Sequence, residues 1–268
     1  GDTALPPGIR WAIPATLARL SPERAATVLL ANLRQEPDGM VRFRSIVSLG
    51  NLLEQHPTIR LDRRLLDEEI RNNVSRAYRY LDRRLVLQAG AERDPARRTV
   101  GHALLVDLLR DKQNSAVGRI FRLLSLAFPH HGFGDIYLAI ESGERGFRPA
   151  AVELTHNLLR SPLRDGVVGL VEDIDDEARL AAAEGYHEPI DRGYERLLLS
   201  LLDSSSTIVR DMAAFHVGEL GLTDALPALS ELESSGRGSP DVARAIEVLE
   251  GRPRSLPPSP PLEPARAG

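Results

Sequence analysis

The chain has 268 residues, of which 42% are hydrophobic and 4% aromatic, with 34 Lys and Arg against 38 Asp and Glu and no cysteine. That length suits one large or two ordinary domains with a sizeable core, and the missing thiols exclude a disulfide framework, a thiolate metal site and a Cys nucleophile. A formal charge of −4 gives no general attraction to nucleic-acid backbones or anionic lipid.

No stretch of about 18 apolar residues occurs, so no bilayer-spanning helix is expected. The start has neither a Met nor a basic-then-apolar leader layout, and a piece of a longer polypeptide is expected. Lys112 is the only lysine. Arg makes forked contacts that Lys cannot, but the arginines are spread along the chain, which reads as compositional bias.

Taken in chain order, the periodicity is helical and the punctuation is Pro, Gly, Asp and Ser. Ala26, Leu29, Leu30 and Leu33 recur at spacings of three and four and predict a helix over 22–33. After Pro37-Asp38-Gly39 a second helix is expected to turn Phe43, Ile46, Val47, Gly50 and Leu53 inward and Arg44, Ser48, Asn51 and Gln55 outward. Residues 61–92 form one long stripe through Leu66, Ile70, Val74, Ala77, Leu81 and Leu85. A second stripe follows Pro95 and runs to Phe128, and two such helices joined by a short turn should pair antiparallel. The polar run Asp111-Lys112-Gln113-Asn114 is expected to kink or expose the second of them. Residues 223–235 and 240–250 suit a smaller, more polar terminal pair. From 251 to 268 six prolines predict an extended, unpacked tail, in which Pro257 and Pro260 have PxxP spacing.

Short helix pairs cannot bury both apolar faces alone, so repeats are expected. The segment 197–221 has a leucine-rich helix, a polar turn, Val209-Arg210, the small residues Ala213 and Ala214, and Leu220-Gly221. The segment from Val28 to Leu53 has the same layout, with Val41-Arg42 in the equivalent place, and a weaker copy runs from Tyr137 to Leu158. This layout resembles the HEAT repeat, with Asp203 in the turn and Arg210 early in the second helix; the first copy lacks the turn Asp.

A more specific likeness joins Arg10-Trp11-Ala12-Ile13-Pro14, Val41-Arg42-Phe43-Arg44, the long helix pair, Phe121-Arg122-Leu123-Leu124, and Gly146-Phe147-Arg148-Pro149-Ala150-Ala151. In that order they resemble the soluble HEAT-repeat region associated with bacterial ATP/ADP-translocase-like and major-facilitator transporters. The expected fold is therefore all-α: a HEAT-like α-solenoid of stacked αα-hairpins over 9–250, with a long antiparallel pair inserted at about 61–128.

Chemistry-bearing patterns are sparse. No phosphate loop, HExxH or GxSxG occurs, and Gly132-Phe133-Gly134 lacks both a preceding strand and a third glycine. His130 and His131 are adjacent after Pro129 and so project apart, which reads as an exposed turn. The run Glu172 to Glu177 lacks an EF-hand glycine and precedes a helix expected over 178–184, where acids cap free N–H groups. Arg63, Arg64, Arg71, Arg76, Arg79, Arg83 and Arg84 alternate with Asp62, Asp67, Glu68, Glu69 and Asp82, reading as a solvated helix surface despite Tyr78 and Tyr80.

The expected function is a non-enzymatic protein-binding scaffold or adaptor, with no cofactor, no metal, no nucleic acid and no direct membrane insertion. The contact face is expected at Arg44, Ser48, Asn51, Gln55, Arg148 and Asp211. The resemblance implies a cytoplasmic module whose partner is a membrane transporter domain. The alternative is a nucleic-acid-binding enzyme on a HEAT-like frame, such as an alkylated-base DNA glycosylase.

Overall fold

The computed structural model describes residues 5–142, 147–189 and 193–251. Among them there are thirteen α-helices, two short 3-10 turns and no strand, so the chain is all-α. The proline-rich stretch, apart from Gly251, lies outside the described residues.

Three helices open the molecule: α1 (Pro7–Leu20), α2 (Pro22–Gln35) and α3 (Gly39–Gln55). Proline at the first position of α2 costs no hydrogen bond, because that N–H would have no helical partner. Ala25, Ala26, Leu29, Leu30 and Leu33 form its buried stripe, as the periodicity predicts. Asp38 starts α3 by accepting from the Met40 and Val41 amides at 2.7 and 3.3 Å. The buried face of α3 is turned about one residue from the expected one. Val41, Ser45, Ile46, Ser48, Leu49 and Leu52 are buried, whereas Phe43, Val47, Gly50 and Leu53 are half-buried. The reason is that α3 packs against α1, α2 and α5, so burial spreads beyond a single stripe.

The long pair is α4 (Arg63–Arg93) and α5 (Val100–Ala127), roughly 47 and 42 Å at 1.5 Å per residue. Asp62 and Thr99 cap their starts. They are antiparallel: Arg63 at the start of α4 donates to the Ala127 carbonyl at the end of α5 at 2.7 Å. The polar run does not interrupt α5. Asp111 and Asn114 face solvent, Lys112 is half-buried and Gln113 is buried.

The remaining helices are α6 (Phe133–Glu141), α7 (Phe147–Leu158), α8 (Leu163–Val171), α9 (Asp176–Ala181), α10 (Tyr194–Leu202), α11 (Thr207–Glu219), α12 (Leu226–Ser234) and α13 (Pro240–Leu249). They divide between two apolar cores. Most of α4 and the C-terminal half of α5 pack with α2, α3 and α6 to α8. Leu87 of α4 and Leu105, Val106 and Leu109 of α5 pack instead with α10 to α13. The hairpin α4–α5 thus enters both cores.

A polar junction ties its turn to the second core. His216, fully buried, meets the Tyr194 hydroxyl at 2.6 Å and Thr99 Oγ1 at 3.0 Å. Tyr194 in turn meets His102 at 3.0 Å, and Glu219 accepts the Gly101 amide at 2.8 Å.

Candidate anion-binding cleft

A cleft of about 480 Å³ opens where the two cores meet. Its first wall is the turn between α2 and α3, with Arg34, Glu36, Pro37 and Arg42. Arg76, Arg79, Tyr80 and Arg83 form the second wall; spaced by three and four along α4, they share one helix face. The end of α10 and the turn after it supply Ser200, Asp203, Ser204 and Ser205.

Five arginines therefore surround one hollow, together with two carboxylates, Glu36 and Asp203; Arg34 lies 3.5 Å from Glu68, and Glu36 is held from outside the hollow. Glu36 is buried and takes the Arg10 guanidinium of α1 together with the Asp38 amide at 3.0 Å. Glu69 accepts from Asn72 at 2.9 Å and lies 3.9 Å from Arg76 Nη1, beyond hydrogen-bond reach. Arg42 donates Nη1 to the backbone carbonyls of Glu36 and Pro37. Its Nε, and Arg76 Nη1, are buried and make no hydrogen bond among the described residues. Arg79 is exposed, with no ion pair among the described residues.

Behind this wall the positive charge continues. Arg119 of α5 is buried and donates Nε to Asn73 Oδ1 at 3.0 Å. Burial, then the neighbouring Arg42, pushes its pKa down to about 10, with Arg76 adding to the shift. Arg42 is lowered by burial and by Arg76, and Lys112 by burial, Arg119 and Arg42. Desolvated like charges that depress one another are stabilised by an incoming anion. Forked guanidinium groups suit carboxylate and phosphate oxygens, so the chemistry this arrangement supports is anion binding.

The expected contact residues lie elsewhere. Arg44, Asn51 and Gln55 are exposed along α3, but Ser48 is buried at 6% exposure and presents nothing to a partner. Arg148 donates to the Val171 carbonyl at 3.1 Å, bracing α7 against α8. Asp211 accepts from Ser239 at 2.8 Å, joining α11 to the start of α13. None of the six lines the cleft. Arg210 is buried with Nε 4.0 Å from Asp211 Oδ1, and no hydrogen bond joins it to Asp203. His130 and His131 sit in an exposed turn after α5. Of the acidic run, Asp175 caps α9 through the Ala178 amide at 2.7 Å, and Asp176 pairs with Arg84 at 2.8 Å.

The sequence did carry a signal for the cleft. From Asn72 to Arg83, the face holding Arg76, Arg79, Tyr80 and Arg83 has no carboxylate, because Asp82 points away to His187 at 2.6 Å. No protein-family model matches the chain, and comparison with curated proteins and with solved structures also returns no match. Among the described residues no helix is long and apolar enough to cross a membrane.

Proposed function

We propose that the chain is a non-enzymatic binding module, a HEAT-like stack of helix pairs whose working surface is the arginine-lined cleft and whose partner is another protein presenting an acidic segment. The observation that carries this reading is the set of five arginines around one hollow, with Arg79 exposed and in no ion pair among the described residues. Consecutive packing of α1 with α2, α6 with α7, α10 with α11 and α12 with α13 supports the repeat architecture. On the resemblance to transporter-associated HEAT regions, the partner is a membrane transporter domain and the module works on its cytoplasmic side.

The test is fluorescence anisotropy with a labelled Glu-rich peptide. Binding should weaken with added salt, and Arg79→Glu should reduce it about tenfold, since a charge-assisted contact contributes about 1.5 kcal/mol. Undiminished binding by that variant would remove the cleft from the assignment. The same arginines favour a second reading, a nucleic-acid enzyme, because phosphates are also their ligands. Duplex DNA bound at low salt by a chain that ignores the peptide would select it.

A further inference from the structure

The binding-module reading leaves open which anionic group enters the cleft, and the donor arrangement discriminates. A carboxylate brings one negative charge and one planar pair of oxygens, which a single guanidinium fork satisfies. Here the guanidinium groups come from two walls, Arg34 and Arg42 on the α2–α3 side and Arg76, Arg79 and Arg83 on α4. Ser204 and Ser205 stand on the third wall, beside the carboxylate of Asp203. The buried charge of Arg119 and the half-buried Lys112 lie behind, while Glu36 is already held by Arg10. A phosphate monoester carries up to two charges and three strong acceptor oxygens arranged in three dimensions, so it can meet donors from separate walls at once. The hollow, about 480 Å³, accommodates such a group with its side chain and flanking backbone.

We propose that the cleft is a phosphate-recognition site, and that the protein partner offers it a phosphorylated side chain. This rests on the binding-module reading, and it adds that an acidic residue is only a weak substitute for the phosphate.

The test uses the full chain and three labelled Glu-rich peptides differing at one central position: phosphoserine, serine or glutamate. The phosphoserine peptide should bind at least about tenfold more tightly than either of the others, and pyrophosphate should displace it. Arg79→Gln, at an exposed position that does not endanger the fold, should remove most of that preference. Arg76→Lys retains the charge but loses the fork, and should also narrow it, with an unchanged thermal melt showing that the chain is folded. Equal affinity for the phosphoserine and glutamate peptides would overturn the phosphate assignment and leave the binding module standing. No binding of any peptide would overturn both. Pyrophosphate binding without phosphopeptide binding would assign the chemistry to a free small anion and overturn the protein-borne source. Tighter capture of duplex DNA than of the phosphopeptide would overturn it as well.

Discussion

Glu36 and Asp38 stand two residues apart and share Arg10, which lies 3.8 Å from Asp38, but otherwise do different work. Glu36 neutralises Arg10 from a buried position, while Asp38 caps α3 and also accepts from the Trp11 indole at 3.3 Å. Asp38→Ala should therefore cost about 1 kcal/mol in a urea titration, and Asp38→Asn clearly less, because the amide oxygen still caps. Equal losses would show that charge, not capping, is what matters there. At this scale the caps were legible in the sequence, while the cleft showed only as the carboxylate-free arginine face between Asn72 and Arg83. Interleaved charge along 62–84 looks balanced when read by number, yet the carboxylates are taken up in pairs, some of them with arginines that line the cleft. Asp67 pairs with Arg63, Glu68 with Arg64 and Arg34, and Asp82 with His187. What faces the hollow from α4 is cationic, and that selection is made by tertiary packing.

Among the elements, α2, α4 and α5 were readable because their stripes are long and regular. The face of α3 was displaced because contacts on several sides blur a single stripe. The run 111–114 stayed helical because α5 packs along the length of α4 and its flanking turns hold the ladder. The closest approaches between helices depend on missing side chains. A Cβ on Gly90 of α4 would collide with the Tyr194 ring on α10, and one on Gly169 of α8 would lie 2.7 Å from the Tyr78 hydroxyl. Alanine for glycine inside an exposed helix usually stabilises by about 0.5–1 kcal/mol. Gly90→Ala should instead destabilise by about 1–3 kcal/mol, because Tyr194 must leave its buried place. A chemical-denaturation midpoint that rises would refute this account of how α4 meets α10.

For the whole molecule, the polar junction between the hairpin turn and α10–α11 predicts acid sensitivity. Burial lowers the pKa of His216, with His102 adding to the effect and Glu219 opposing it; burial and then Arg98 lower that of His102. The unfolded chain takes up these protons near pH 6.5, before the folded chain does. Stability is thus fully present above about pH 6.5 and declines below it until the folded-state values are reached. Melting temperatures at about pH 7.5 and 5.5 should differ, and His216→Gln should flatten the difference; an unchanged slope would place the sensitivity elsewhere. The location of the cleft has a further thermodynamic consequence. Because one wall grows from the first core and another from the second, whatever fills the hollow would act as a keystone between two blocks otherwise linked by the α4–α5 hairpin. Occupancy adds RT ln(1 + [L]/Kd) of stability only while both blocks are intact. Calorimetry on the empty chain should show a broad or two-step transition that sharpens into one as the ligand concentration rises.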